Sequence, residues 1–179
     1  TSTIQALLFN CWGRYKEKLD NLQLSKDQYQ FYFEETMLMV MNWVTHFKEE
    51  MADVMKKKGI TIQEAFTYLT PVREQEYRSD NYSVRGFIDA IKHIDNEVHI
   101  IDYKTNSRSD IKDSIKLQLA IYSLLYFEKH GKAPSKVGIF FLRHKQKMMH
   151  VDEELMRLAR REIELIHGHT GECDHVNDY

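Results

Sequence analysis

The sequence predicts an α/β domain in which helices flank a mixed central β-sheet. Two changes of hydrophobic period support this prediction. Apolar residues recur every three or four positions over residues 1–20 and 27–57, which is typical of amphipathic helices. The pattern then changes to short segments rich in β-branched residues, before helical spacing returns over residues 110–131. Groups of strands separated by a helix favour a mixed sheet in a single α/β domain.

The first three predicted strands form a meander. They cover residues 71–79, 83–94 and 97–105, and Asp95-Asn96 supplies the turn chemistry between the last two. Such a short turn makes the second and third strands antiparallel neighbours, so residues at their far ends come together.

The second half of the chain predicts a helix, two strands and a closing helix. The helical spacing over residues 110–131 stops at Gly131, a common C-terminal signal. The two strands and the final helix cover residues 135–144, 147–153 and about 152–167, with a tight connection at Lys145-Gln146.

Composition limits the class of protein. A chain of 179 residues that is 42% hydrophobic is long enough to bury one sizeable core. The formal net charge of -2 excludes a generally basic, histone-like coat, although it permits a local basic groove. Cys11 and Cys173 lie far apart and no secretory pattern opens the sequence, so we expect a reducing, cytoplasmic compartment. No apolar run approaches the roughly 18 residues of a membrane span, so we expect no membrane partner.

Asp102 and Lys104 are expected on one face of the third strand, because alternate side chains of a strand share a face. Val98 and Ile100 precede them on that face and Ile101 is apolar on the other, which predicts a buried strand with a charged pair at its end. Buried charges are costly unless they are partnered. The two side chains therefore either neutralise each other as a strand cap or hold a ligand.

Asp89 favours the ligand. The segment RGFIDA places this residue on the second strand, so its carboxylate can converge with that of Asp102. Hard carboxylate oxygens bind Mg²⁺ or Mn²⁺ and leave positions for water and substrate. A lysine beside them would help to orient or deprotonate the attacking water and would offset the charge that develops on a phosphate. The combination predicts a metal-assisted phosphoryl-transfer site.

Three short segments carry a resemblance to a known family: GFIDA at 86–90, IIDYKT at 100–105 and QLAIY at 118–122. Through them the sequence resembles the PD-(D/E)XK nucleases over roughly residues 40–145. Within that family it is similar to the RecB-like branch, which includes the single-strand exonucleases of CRISPR adaptation and mitochondrial genome maintenance exonucleases. The resemblance implies one nuclease domain over 1–179, with a helical segment at 1–60, a restriction-endonuclease-like catalytic core at 70–150 and a C-terminal helix at 152–167.

The resemblance also assigns the central roles of the site. In this family the two acids and the lysine form the catalytic core, which implies that Asp89 and Asp102 bind the metal beside Lys104. The main-chain carbonyl after the second acid is a usual metal ligand, and that residue is Tyr103.

Further roles follow from the resemblance. A metal-ligating histidine on a preceding helix corresponds to His46, although Asn42 stands where relatives commonly have glycine. Imidazole is a softer donor than carboxylate, so a His46 ligand would favour Mn²⁺. Gln118 and Tyr122, four apart on one helical face, match the pair that lines the site and touches DNA; an ordinary amphipathic helix is the alternative. An acidic residue on the first strand is assigned to Glu76, with a solvated edge-strand acid as the alternative.

Both ends of the chain resemble segments that carry an iron–sulfur cluster in many of these nucleases. A cluster of this type needs four thiolates, and the sequence contains two cysteines, Cys11 and Cys173. We therefore expect no bound cluster.

The resemblance implies a metal-dependent DNase that leaves 5′-phosphates, an exonuclease preferring single strands or free ends in recombination, repair or replication. The implied partners are DNA and helicase or recombination proteins. A non-catalytic DNA-binding or scaffolding module of a recombination or repair complex is the alternative, and an endonuclease on the same core is a third possibility. The presence of Asp89, Asp102, Lys104 and Gln118 favours the enzyme.

Overall fold

The computed structural model of the protein describes residues 2–171. It confirms the predicted fold class, a five-stranded mixed sheet flanked by helices and preceded by a helical segment. The elements in chain order are α1 Ser2–Arg14, α2 Lys16–Asp20, α3 Lys26–Lys58, α4 Ile62–Leu69, β1 Val72–Ser79, β2 Val84–Ile94, β3 Glu97–Lys104, α5 Asp113–His130, β4 Lys136–Phe141, β5 Gln146–His150 and α6 Glu153–Gly171.

The longest helix, α3, begins and ends at well-formed caps. The Ser25 hydroxyl accepts the Gln28 N–H while the Gln28 side chain accepts the Ser25 N–H, which is a capping box. At the other end Gly59 takes a left-handed φ of 65°, a conformation that glycine adopts without a Cβ penalty. The helix agrees with the predicted span of 27–57, whereas the predicted helix over 1–20 is divided into α1 and α2.

The short helix α4 was not predicted from the sequence. The Thr61 hydroxyl accepts the Glu64 N–H and the Glu64 carboxylate accepts the Thr61 N–H, which fixes its first turn. Ala65 and Leu69 then pack against Met51 of α3. The T-x-x-E spacing is the sequence signal that could have located this helix.

The sheet has the strand order β1-β2-β3-β4-β5. Its first three strands form the predicted antiparallel meander. Strand β4 lies parallel to β3, with α5 as the crossover between them, and β5 pairs antiparallel to β4. The last two strands are shorter than the predicted 135–144 and 147–153. Residues 142–145 form the turn after β4, and β5 ends at His150 because α6 begins at Glu153.

Helices cover both faces of the sheet. On one side, which we call the α5 face, α5 and α6 pack over Ile100 and Ile139, both fully buried. On the other, the α3 face, Trp43 of α3 packs against Ile101 and Phe140. Burial on both sides explains why the central strand β3 carries consecutive apolar residues before its charged end.

Strand β2 interrupts its alternation at Asp89. Ile88 and Ile91 both pack on the α5 face although they are three residues apart, while Ala90 packs on the α3 face. A regular strand would place residues of odd separation on opposite faces. On the neighbouring strand β1, Glu74 stands opposite Asp89 and has a left-handed backbone with φ 50°. Both strands therefore depart from regular geometry beside Asp89.

Within residues 2–171, no helix is long and apolar enough to cross a membrane. Cys11 is a free, exposed thiol on α1. Cys173 lies outside the described residues, so the expectation about an iron–sulfur cluster stays a prediction.

Candidate active site

Asp102 lies at the buried end of β3 and is 2% exposed. Lys104, two residues further on, shares the α5 face, and its Nζ lies 2.9 Å from Asp102 Oδ2. The structure thus brings together the acid and the base that the sequence predicted on one face of this strand.

Asp102 Oδ2 is buried, and the Lys104 ammonium forms an ion pair with it at 2.9 Å. Burial raises the pKa of the Asp102 carboxyl above its ordinary value; Lys104 opposes this rise and the negative charge of Asp89 adds to it. The oxygen that Lys104 pairs still has a lone pair for a second cation.

Gln118 holds the other oxygen of Asp102. Its Nε2 donates to Asp102 Oδ1 at 3.2 Å and to Tyr122 Oη at 2.8 Å. Burial raises the pKa of the Tyr122 hydroxyl. The side-chain amide of Gln118 lies on α5 beside the buried Leu119, and these two hydrogen bonds satisfy it there. The structure brings the predicted glutamine and tyrosine to the site, and their contact with DNA stays a prediction.

Asp89 faces Asp102 from the neighbouring strand. The backbone ladder of β2 and β3 ends at the pair Ala90 and Ile101, although both strands continue. Beyond that pair the Asp89 carboxylate replaces a main-chain partner, since its Oδ2 accepts the Tyr103 N–H at 2.9 Å. We call this place, where pairing between β2 and β3 stops, the strand fork.

Gly86, the first residue of GFIDA, lets α5 lie close to the sheet. A Cβ at this position would stand 3.3 Å from Leu125 Cδ1 and 3.4 Å from Tyr122 Cε1. Most side chains there would push α5, and with it Gln118, away from the strand fork. The glycine and the helix pair of the sequence motif are thus parts of one packing arrangement.

His46 lies on the α3 face, apart from Asp102. Its Nε2 is 3.1 Å from Gln146 Oε1 and 3.7 Å from Glu50 Oε1, and its ring packs edge-on against Phe140. Among the residues that the structure describes, no three His, Cys, Asp or Glu side chains form a group that could hold a metal ion. The structure does not bring His46 together with the two aspartates, because α3 packs on the opposite side of β3; its role as a ligand stays a prediction.

Glu76 is exposed on β1, opposite Phe87 of β2. Phe87 follows Gly86, which lies against α5, so Phe87 and Glu76 face away from Asp102. The left-handed backbone of Glu74 also interrupts the regular alternation of β1 two residues before Glu76. The assignment of Glu76 to the site stays a prediction.

Three residues that support the α3 face beside the fork were not predicted from the sequence. Lys92 is 5% exposed and its Nζ lies 2.6 Å from Glu50 Oε2. Trp43 Nε1 donates to Tyr103 Oη at 3.4 Å. The available signals were a lysine at a buried strand position and an acid four residues after His46 on one helical face.

Two carboxylates and a lysine meet at the strand fork, a combination suited to metal-assisted phosphoryl transfer. The comparisons identify the class of protein: the model of the PD-(D/E)XK nuclease superfamily matches residues 12–174. The chain belongs to the PD-(D/E)XK nuclease superfamily. A search of curated proteins finds no significant match.

Two solved structures are similar to this chain at low sequence identity. One is named "Putative exonuclease" and comes from Eubacterium rectale; it is 12% identical, with a TM-score of 0.41 over 78% of this chain and 69% of that one. The other is SSO0001, 21% identical, with a TM-score of 0.33 over 85% of this chain and 69% of that one.

Nucleases of this superfamily generally use divalent metal ions. The residues at the strand fork fit such an ion, because the charges of Asp89 and Asp102 act on each other and Lys104 is the cation paired with Asp102. Asp102 and Asp89 each accept one hydrogen bond, through Oδ1 and Oδ2 respectively, and a carboxylate has lone pairs for more. These are the hard oxygen donors that Mg²⁺ and Mn²⁺ prefer.

Proposed function

We propose that this chain is a Mg²⁺- or Mn²⁺-dependent deoxyribonuclease of the RecB-like branch. It hydrolyses DNA to 5′-phosphate products and prefers single strands or free ends. The observation that carries the proposal is Asp102, a buried carboxylate that pairs with Lys104 and feels the negative charge of Asp89 across the strand fork. Two carboxylates whose charges act on each other beside one lysine favour a divalent cation as ligand.

Asp89, Asp102 and the main-chain carbonyl of Tyr103 would hold the divalent ion. When bound, the ion neutralises phosphate charge and makes a coordinated water a better nucleophile at neutral pH. The Tyr103 N–H holds the Asp89 carboxylate in place, so one peptide segment both orients a ligand and supplies another.

Lys104 provides the positive charge next to the reacting phosphate. Its side chain is 26% exposed, so the ammonium can contact Asp102 and an incoming phosphate together. We expect it to orient the attacking water and to offset the charge that develops on the phosphate. Gln118 fixes the rotation of the Asp102 carboxylate through Oδ1, and Tyr122 anchors Gln118 in turn.

His46 is proposed as a further ligand, which would favour Mn²⁺. Its imidazole would have to leave Gln146 for this role, so His46→Ala and Gln146→Ala separate a ligand from a structural contact. A ligand predicts lower activity and a higher Mn²⁺ requirement in His46→Ala alone. Equal loss of stability in both variants, with an unchanged Mn²⁺ requirement, would remove His46 from the ligand set.

Glu76 is proposed to orient DNA beside the fork. Because it is exposed, Glu76→Gln should leave stability within about 0.5 kcal/mol of wild type. A raised KM for DNA would support the role, and unchanged kinetics would exclude it.

The function is tested by incubating the protein with labelled linear single-stranded, linear duplex and circular DNA in Mg²⁺ or Mn²⁺. We expect linear DNA to be degraded, with single strands or ends preferred and circles resistant. Asp102→Asn and Lys104→Met should lower the rate at least about hundredfold, in keeping with the loss of a catalytic group. Lys132→Met, at an exposed lysine just after α5, is the matched control and should be unchanged.

Each other result has a definite meaning. If wild type degrades no DNA in either ion, or if Asp102→Asn and Lys104→Met cut as fast as wild type, the enzymatic function is wrong. Binding of DNA without cleavage would instead support the scaffolding module. Cleavage of circular DNA would show an endonuclease.

A further inference from the structure

An open pocket of about 600 Å³ lies on the α3 face beside the strand fork. We call it the aromatic pocket; its walls are Trp43, Phe47, Phe66, Pro71, Tyr103 and Leu142. The side chains of Asp89, Asp102 and Lys104 do not line this pocket. Tyr103 is the one proposed metal ligand that does.

The rings of the aromatic pocket are arranged as a stacking surface. Trp43 and Phe47 are nearly parallel, with 6° between their planes and 5.2 Å between their centroids. Phe66 meets Phe47 edge-on and is 54% exposed, an unusual exposure for so large an apolar side chain. The exposed ring of Phe66 is a flat apolar surface that suits a flat aromatic ligand.

The aromatic pocket and the catalytic pair share a backbone segment. Tyr103, one wall of the pocket, lies between Asp102 and Lys104 in sequence, and Trp43 Nε1 holds its hydroxyl. Leu142, another wall, donates its N–H to the Lys104 carbonyl at 2.9 Å. The pocket and the catalytic pair thus lie on the two faces of one strand end.

Arg73 brings a positive charge to the aromatic pocket. Among residues 2–171 it is the one charged residue of the lining, while the carboxylates of Glu50 and Asp89 act on the Tyr103 hydroxyl from outside the lining. Within residues 2–171, no Asp or Glu oxygen lies within ion-pairing distance of the Arg73 guanidinium, which is exposed on β1. An arginine without an internal partner beside stacked rings fits a ligand that joins an aromatic ring to an anion.

We propose that the aromatic pocket stacks an unpaired nucleobase of a nucleic-acid strand, with Arg73 on an adjacent phosphate. The inference rests on the proposed function, because the same strand would present its phosphodiester to Asp102 and Lys104. A base in a duplex is stacked and paired on all sides, so only an unpaired base can enter. The pocket thereby accounts for a preference for single strands or frayed ends.

The test measures binding of a 20-nucleotide single-stranded DNA carrying 2-aminopurine, by anisotropy and fluorescence quenching, in EDTA so that cleavage does not contribute. Phe66→Ala should weaken binding about five- to hundredfold and reduce the quenching, as expected for loss of one base-stacking contact. Phe31→Ala is the matched control, since Phe31 lies on α3 away from the pocket and is 53% exposed. Phe66→Trp should bind like wild type, and blunt duplex should bind Phe66→Ala as it binds wild type.

If Phe66→Ala binds single strands as wild type does, or if wild type does not bind them, the inference is wrong. A change from dimer to monomer in Phe66→Ala with unchanged DNA binding would also overturn it and identify a contact between two copies. If Phe66→Ala fails to fold, two other variants test the inference. Arg73→Gln should lower the affinity for single strands and the salt dependence of that affinity. Phe66→Trp should preserve both. These readouts separate the two proposals. If wild type does not cleave DNA, the proposed function is wrong. Binding in EDTA tests the pocket independently, because it does not require cleavage.

Discussion

The ion pair of Lys92 and Glu50 fixes α3, with its aromatic residues and His46, to strand β2. The Nζ to Oε2 distance is 2.6 Å, and the lysine side chain is 6% exposed whereas the glutamate is 24% exposed. Glu50→Gln would leave the buried ammonium without a counter-charge. Loss of one partner of a fully buried pair costs about 3–5 kcal/mol. Because glutamine still accepts a hydrogen bond and water reaches this position, we expect a loss of about 2–3 kcal/mol in the free energy of unfolding.

The reverse substitution should cost less. Lys92→Met removes the buried charge and places an apolar side chain in a small cavity also lined by Ile101 and Phe140. The carboxylate of Glu50 left behind is partly solvated, so we expect a loss below about 1 kcal/mol. The double variant should resemble Lys92→Met alone, which corresponds to a coupling energy of about 2–3 kcal/mol in magnitude.

Urea unfolding followed by circular dichroism gives the four free energies of this cycle. Glu49→Gln, at the exposed neighbouring glutamate, is the control and should change stability by less than about 0.5 kcal/mol. Additive effects of the two substitutions, or a larger loss for Lys92→Met than for Glu50→Gln, would refute the argument from burial.

Two further predictions concern packing and pH. Gly86→Val should destabilise the fold by about 1–3 kcal/mol and slow cleavage, because the new side chain displaces Tyr122. Thermal unfolding and the cleavage rate are measured on the same variant. Full activity would contradict this prediction. Lys136 and then His99 lower the pKa of Glu97 to about 2, so its contribution to stability is present above the ordinary value of 4.5 and is lost as pH falls through about 2. Wild type and Glu97→Gln should differ in melting temperature at neutral pH and converge near pH 2; a constant difference would contradict this.

The sequence predicted the parts of the fold and site that depend on local pattern. The meander was predicted from apolar residues at every second position and from the turn at Asp95-Asn96. The end of the crossover helix α5 was predicted from the glycine that follows it. The same alternation put Asp102 and Lys104 on one face, and helical spacing put Gln118 and Tyr122 together. These relations need only the geometry of one strand and one helix.

What could not be predicted depends on tertiary contacts. A left-handed backbone is usually found at glycine, but here the residue is Glu74. The irregularity beside Asp89 therefore could not be predicted from the sequence. The place of His46 follows from how α3 crosses the sheet, which no periodicity determines. The aromatic pocket likewise brings together α3, α4, β3 and the β4–β5 turn, segments that are distant in the chain.

The proposed function depends on a divalent ion at the strand fork. Crystals soaked in Mn²⁺ and measured for anomalous scattering test this directly. We predict a peak between the carboxylates of Asp89 and Asp102, within about 2.2 Å of their oxygens, and its loss in Asp102→Asn. No peak at the fork, with Lys104 still paired to Asp102, or a peak at His46 and Glu50 alone, would contradict the proposed site.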